Sequence, residues 1–281
     1  MGIVIYTATG CTRCKIVKKY MGQAGIAFDE KDVKADGIED FKRFYAANRR
    51  HVVRGADGVE FPVLTDDAEI RQGIGASIAY LHSGSRLDDF FSVGSLHKEW
   101  VDGIHISSGS GDASEEFLAV LRYLKHNAMK LQVDTDGRNS EILRSVLEEG
   151  LADVVTMDVI GPRSFYSRIV GESGDIRQIE ESMVLVSGFP QHQFQTSVWF
   201  MEPQEDRGRV LLTAEEIGQT ARFIREVTGS MKQPYLLRFS LPLGALHARG
   251  ESAEEFGPES MFAYRRAART YQVLTELEKP N

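Results

Sequence analysis

The two cysteines of this chain, Cys11 and Cys14, stand three positions apart, directly after a short apolar segment. That segment, residues 3–6, reads Ile-Val-Ile-Tyr and predicts a buried strand. Apolar residues recur at helical spacing after the first cysteine, so we predict a helix that begins at the pair. Unpaired N–H groups and the positive end of the helix dipole stabilise a thiolate at that point. The pair therefore predicts a redox-active dithiol at a strand-to-helix turn.

Two other uses of the pair remain open. The thiols could be inert, or they could supply half of a zinc site shared across a dimer. A tetrahedral zinc site needs about four ligands, whereas the chain has no further cysteine and no histidine next to the pair. We therefore favour thiol–disulfide chemistry and expect no metal ion.

Length and charge restrict the class of protein. A chain of 281 residues favours two domains. Its formal net charge of -8 argues against nucleic acid as a partner. No apolar run is long enough to cross a bilayer, and the N-terminus lacks the pattern of a signal peptide, so no membrane partner is expected. Two thiols without a disulfide framework fit a reducing compartment, and we predict a cytoplasmic protein.

Residues 1–83 alternate between patterns typical of strands and helices. The order is strand, Cys-x-x-Cys, helix, strand, helix, X-Pro-strand, hairpin and helix, with the proline at Pro62. This succession resembles a glutaredoxin of the thioredoxin fold. The resemblance implies a cis Phe61-Pro62 bond that faces the dithiol. It also implies that Cys11 attacks a substrate disulfide and that Cys14 resolves the mixed disulfide.

The residues between and around the cysteines define the rest of the predicted redox site. Thr12 and Arg13 separate the two thiols, and Arg13 adds a positive charge that favours the thiolate. Phe61 and Pro62 complete the set that supports the dithiol.

Several positions differ from the glutaredoxin pattern where that family holds glutathione. Ala8 stands in place of a lysine, Glu60 in place of a threonine, and residues 73–77 in place of a Gly-Gly-Ser/Cys-Asp segment. The resemblance therefore carries over the redox motif but not glutathione binding. We expect no bound cofactor, a protein disulfide or thiol as substrate, and thioredoxin reductase or glutathione as the external reductant.

The remainder of the chain predicts a second α/β domain. Residues 84–97 are rich in Ser, Gly and Asp and predict a linker that leads into a short helix near residues 96–100. Repeated strand–helix units over residues 98–245 predict a parallel sheet, and residues 246–281 predict a helical tail that starts at Pro258 and runs to Leu277. The strand patterns cover residues 103–107, 130–134, 153–159, 194–200 and 235–240.

Four phrases in this domain carry a second resemblance. Residues 101–111, 131–139, 152–162 and 165–171 resemble the radical S-adenosylmethionine activating enzymes of glycyl-radical and anaerobic ribonucleotide reductases. The fold of that family is a partial (β/α)6 barrel. The family's three-cysteine loop is absent from this chain, so no iron–sulfur cluster is expected. The resemblance therefore implies a degenerate barrel that has lost its radical chemistry.

Polar residues follow the predicted strands at the edge where open α/β barrels bind ligands. This set could form a pocket for a small cationic or hydroxylated ligand. The commoner role of such residues is to cap strands and helix starts, and we favour that interpretation. The residues are Ser108, Ser110, Asp134, Asp136 and Asp158.

Two functions follow from the sequence. The first is a thiol–disulfide oxidoreductase that acts on a protein disulfide, with the barrel docking the substrate. The alternative is a redox-sensing or ligand-binding adaptor without turnover, which retains S-adenosylmethionine or metal binding.

Overall fold

The computed structural model of the chain describes residues 2–55, 58–169, 176–199, 212–240 and 258–278. Val170 and Gly171, at the end of the phrase 165–171, and Phe200, at the end of the predicted strand 194–200, lie outside these ranges. So do residues 172–175, 201–211 and 241–245 of the predicted barrel and residues 246–257 and 279–281 of the predicted tail.

The chain forms two compact units. One consists of Met1–Val133 with Glu148–Asp153, and the other of Asp134–Leu147 with Val154–Asn281. The domain boundaries drawn from the sequence at residues 83, 98 and 245 remain predictions.

The first unit begins with a four-stranded sheet in the order β2-β1-β5-β6. Strand β1 pairs in parallel with β2 and antiparallel with β5, and β5 pairs antiparallel with β6. This mixed sheet with helices on its connections confirms the predicted thioredoxin-type domain. The elements are β1 (Ile3–Thr7), α1 (Thr12–Gln23), β2 (Phe28–Asp32), α2 (Ile38–Ala47), β3 (Arg54–Gly55), β4 (Gly58–Val59), β5 (Val63–Thr65), β6 (Ile70–Gln72) and α3 (Ile74–Ser83).

Strand β1 lies inside this sheet, which explains its sequence. Ile5 and Tyr6 are both buried although they are adjacent, because a central strand is covered on its two faces. The ring of Tyr6 packs against Phe41 and Phe44 of α2, with centroids 5.2 and 4.8 Å apart. The position of β1 places the turn that follows it, and with it the cysteine pair, at one end of the sheet.

Residues 84–133 continue the first unit without an extended tether. The segment that follows α3 contains a 3₁₀ helix, Gly84–Phe90, in which Leu87 and Phe90 are fully buried. Phe90 stacks on Phe117 with ring centroids 4.4 Å apart. The following elements are β7 (Trp100–His105), a 3₁₀ turn (Gly111–Ala113), α4 (Ser114–His126) and β8 (Lys130–Thr135).

The short helix predicted near residues 96–100 is wrong. Residues 92–97 have no regular structure, and Lys98 adopts the left-handed conformation, with φ of 60°. The carboxylate of Asp102 binds the N–H groups of Ser95 and Leu96 and so satisfies them without a helix. The spacing of Leu96 and Trp100 imitates a helical repeat, but Trp100 begins a strand.

Strands β7 to β12 form one six-stranded sheet in the order β12-β11-β10-β9-β8-β7. The pairings β9–β10, β10–β11 and β11–β12 are parallel. The predicted α/β class with a parallel second sheet is therefore confirmed. The remaining elements are α5 (Ser140–Glu148), β9 (Val154–Asp158), α6 (Arg163–Ile169), α7 (Ile176–Ser187), β10 (His192–Trp199), α8 (Ala214–Thr228), β11 (Tyr235–Ser240), α9 (Pro258–Arg269) and β12 (Thr275–Leu277).

The predicted tail helix ends earlier than expected. It stops at Arg269, and Thr275–Leu277 adds a sixth strand that pairs with β11. The buried side chain of Gln272 fixes the turn between them, because it accepts from the N–H of Gln233 and donates to the carbonyl of Ser230. Neither glycine nor proline marks this helix end, so the helical spacing concealed it.

No membrane-spanning helix is found among the described residues, where every helix is too short or too polar for that role.

Candidate active site

The cysteine pair lies where strand β1 turns into helix α1. Cys11 is the N-cap of α1, and its Sγ accepts from the N–H of Cys14 at 3.1 Å. The two residues form a disulfide, with Cα atoms 5.4 Å apart. Cys11 is half-buried, whereas Cys14 is only 2% exposed. The pair therefore presents one sulfur to an incoming group and hides the other within the fold.

The loop before β5 faces this pair. The Phe61-Pro62 peptide bond is cis, as the resemblance implied. The Sγ of Cys11 lies 3.9 Å from the carbonyl oxygen of Phe61. The buried side chain of Gln72 holds the loop in place through the carbonyl of Glu60 and both backbone groups of Val53. Phe61 and Pro62 are thus brought to the dithiol, whereas Thr12 is exposed.

Arg13 points away from solvent, although it lies between the two cysteines. Arg13 is only 7% exposed, and its guanidinium forms an ion pair with Glu60. The same group donates to the carbonyl of Leu96 at 2.6 Å, to that of Lys98 at 3.3 Å and to that of Trp100. Arg13 therefore joins helix α1 to the loop before Pro62 and to a segment more than 80 residues away along the chain.

Glu60 is a functional candidate that the sequence interpretation treated only as a departure from the family pattern. Its side chain is 12% exposed, and its Oε2 is buried without a hydrogen-bond partner among the described residues. Burial raises the pKa of Glu60 above its usual range, and Arg13 opposes that shift. The sequence held one signal for this role: Glu60 is a charged residue directly before the Phe61-Pro62 bond. A charged side chain that is buried at such a place needs a partner of opposite charge.

Residues 92–100, here called the strap, run beside the dithiol. The base of the strap is closed by a hydrogen bond of 2.8 Å from Ser92 N to the carbonyl of Gly103. The Asp102 carboxylate accepts from the N–H groups of Ser95 and Leu96 at 3.0 Å. A side chain at Gly94 would collide with this carboxylate, so the close approach requires glycine.

A cleft of about 750 Å³ opens at Cys11. The loop before β5 and the β3–β4 hairpin supply Val59 and Phe61 on its lining, and the strap supplies Val93, Ser95 and Lys98. Cys11 is thus enclosed on one side by segments from residues 1–83 and on the other by the strap.

The five residues of the predicted ligand pocket fall into separate units. Ser108 and Ser110 are exposed residues of the first, and Ser110 donates to the nearby Asp112. In the second unit, Asp136 pairs with Arg138, and Asp158 accepts from Gln195 at 2.8 Å. The Arg238 pKa is raised, first by its hydrogen bond to Glu278 and to a lesser degree by Asp158 and Asp134. The pocket stays a prediction.

The described residues contain no group of three or more His, Cys, Asp or Glu side chains placed to hold a metal ion.

Comparisons with known proteins match the first part of the chain to a family. The Glutaredoxin family model matches residues 3–67, which include both cysteines and the cis-proline loop. No curated protein matches the sequence.

Two solved structures are similar to this chain at low identity. A domain of pyruvate-formate lyase-activating enzyme from Bacteroides vulgatus ATCC 8482 is 12% identical, with a TM-score of 0.40, and the match covers 64% of this chain and 100% of that one. Coproporphyrinogen III oxidase (HemN) from Escherichia coli, described as a radical SAM enzyme, is 14% identical, with a TM-score of 0.38. That match covers 61% of this chain and 41% of the oxidase.

Proposed function

We propose that this protein is a thiol–disulfide oxidoreductase that reduces a protein disulfide through Cys11 and Cys14. The observation that carries the proposal is the unequal exposure of the pair at a helix N-terminus. Cys11 opens into a cleft, whereas Cys14 is 2% exposed and lies one turn into α1. A dithiol of this geometry has one sulfur that meets the substrate and one that meets only its neighbour.

The proposed reaction begins with the reduced pair. The Cys11 thiolate is stabilised by the N–H of Cys14 and by the helix dipole, and it attacks one sulfur of the substrate disulfide. The other substrate sulfur leaves as a thiolate, and a mixed disulfide with Cys11 forms. The Cys14 thiolate then attacks the Cys11 sulfur and releases the second substrate thiolate. Two electrons pass to the substrate, and the protein is left as the Cys11–Cys14 disulfide.

An external thiol reductant completes the cycle. Thioredoxin reductase, or two glutathione molecules that leave joined as glutathione disulfide, would return two electrons to the Cys11–Cys14 disulfide. The reaction on this protein therefore needs no bound cofactor or metal ion. A reducing compartment such as the cytoplasm supplies such reductants, and we place the protein there.

The chain beyond residue 83 contributes to substrate docking in this proposal. The support is local, because Val93, Ser95 and Lys98 of the strap line the cleft that holds Cys11. A substrate bound at Cys11 would therefore touch residues outside the segment that matches the glutaredoxin model.

Trapping of the intermediate tests the proposal. In Cys14→Ser the second step has no attacking sulfur, so a disulfide-bearing protein substrate should remain attached to Cys11. Mass spectrometry of the non-reduced mixture should show the sum of the two masses, and dithiothreitol should separate them. An adaptor without exchange chemistry would give neither the adduct nor turnover by the wild type.

A further inference from the structure

The strap is held by charged side chains rather than by regular secondary structure. Asp102 accepts from backbone N–H groups of Ser95 and Leu96, and Arg13 donates to the carbonyl groups of Leu96, Lys98 and Trp100. Hydrogen bonds with one ionised partner are about twice as strong as neutral ones. The strap is therefore held both through its backbone N–H groups, by Asp102, and through its backbone carbonyl groups, by Arg13.

The backbone of the strap contains one uncommon conformation, and it lies at a carbonyl that Arg13 contacts. Lys98 occupies the left-handed region, which is uncommon for a residue with a long side chain. Such a conformation persists where the surroundings determine it, and here Arg13 holds the Lys98 carbonyl at 3.3 Å.

Arg13 positions both segments that line the cleft. Its ion pair with Glu60 anchors the loop before Pro62, and its three carbonyl contacts anchor the strap. A planar fork with five donors can serve these partners together, whereas an ammonium group at the same place cannot. Arg13 lies within the redox motif, two residues after Cys11. Its contacts therefore fix the spacing between the strap and the loop before Pro62 close to the reactive sulfur.

The size of the cleft limits what can reach Cys11. Its volume of about 750 Å³ falls within the range of sites that enclose a small ligand. A folded partner that docks through a flat surface needs about 800 Å² of contact on each side. The strap and the loop before Pro62 both line this cleft beside Cys11, so a group that reaches the sulfur through the cleft passes between them.

We propose that Cys11 acts on disulfides carried by a slender, extended chain segment, and that Arg13 sets this selectivity as a positioning residue. The inference rests on the proposed function and narrows its substrate class. A disulfide in a flexible loop or at a chain end enters between the strap and the loop before Pro62. A disulfide set in a rigid folded surface does not.

The test uses three mixed disulfides that share one leaving group. Thionitrobenzoate is joined to free cysteine, to the single cysteine of an unstructured ten-residue peptide, and to a surface cysteine on a helix of a small folded protein. The reduced full-length protein, freed of reductant, is mixed with each, and the release of thionitrobenzoate is followed in a single turnover. Attack by Cys11 forms the mixed disulfide and releases one thionitrobenzoate, so only the bulk around the attacked sulfur differs.

The wild type should react faster with the peptide than with the folded protein by about tenfold or more, the low end of what pocket shape alone achieves. Arg13→Lys should bring the ratio close to one. So should Asp102→Asn, which loosens the strap without touching the redox motif. A purely structural loss would slow all three reactions together and leave the ratio unchanged. Arg122→Lys, at an exposed ion pair with Glu149, is the matched control and should keep the wild-type ratio.

Each contrary result has a distinct meaning. Equal wild-type rates for peptide and folded protein would overturn the selectivity and leave the oxidoreductase intact. An unchanged ratio in both Arg13→Lys and Asp102→Asn would overturn the role of Arg13. Rates no faster than those of a free cysteine peptide with all three substrates would remove the proposed function itself, and this inference with it.

Discussion

Cys11→Ser should reduce the rate of disulfide reduction to the uncatalysed background, a loss on the order of 10³-fold or more, as expected when a catalytic nucleophile is removed. A serine hydroxyl is not ionised at neutral pH and cannot form a disulfide. Cys14 cannot take over, because it is 2% exposed and does not line the cleft. The measurement is turnover of a protein disulfide with an external thiol reductant.

The control for this variant is the state of its fold. Serine retains a side-chain acceptor at the N-cap, so helix α1 should begin at the same residue. With the wild type reduced, so that neither protein carries the Cys11–Cys14 disulfide, the two should unfold at nearly the same temperature. Residual turnover above background in a folded Cys11→Ser protein would mean that another group is the nucleophile.

Arg13→Met should lower the free energy of unfolding by about 3 kcal/mol, the usual cost of removing one partner from a buried charge pair. The substitution leaves Glu60 without its cation in a site where its side chain is 12% exposed. It also removes the donor that serves the carbonyls of Leu96, Lys98 and Trp100. Urea unfolding followed by circular dichroism measures the change.

A double variant separates the charge from the packing. Glu60→Met added to Arg13→Met removes the uncompensated carboxyl group. The double variant should therefore lose less free energy of unfolding than the sum of the losses in the two single variants. Additive losses would show that the two side chains do not depend on each other. Arg122→Met, at an exposed pair, should change stability by no more than about 1 kcal/mol and serves as the matched control.

The sequence predicted those parts of the site that depend on local pattern. The cysteine pair follows a strand and begins a helix. The apolar patterns of that strand and that helix both lie within about twenty residues of sequence. The cis Phe61-Pro62 bond came from resemblance to a family with a proline at that point. The five predicted strands of the second sheet were found because each has five or more residues, long enough to show consecutive or alternating apolar positions.

The partners of Arg13 could not be read from local pattern. They lie at Glu60 and in the strap, between 47 and 87 residues away, and three of them are backbone carbonyls. Backbone groups leave no trace in the residue types of the strap. The same contacts hold residues 96–100 out of the helix that their apolar spacing suggested.

Short strands escaped for a different reason. Thr275–Leu277 has three residues, and β3 and β4 have two each, too few to establish an alternating pattern. Their pairing is decided by tertiary context. For Thr275–Leu277 that context is the buried Gln272, which turns the chain back beside β11.

The most direct measurement of the central claim is the alkylation rate of each cysteine in the reduced protein at pH 7, resolved by mass spectrometry of its peptides. The account predicts that Cys11 reacts well ahead of a cysteine in an unstructured peptide, because the helix N-terminus stabilises the reactive thiolate. It also predicts that Cys14 in the native protein lags behind that peptide. Alkylation of Cys11 at the peptide's own rate, or of Cys14 before Cys11, would contradict it.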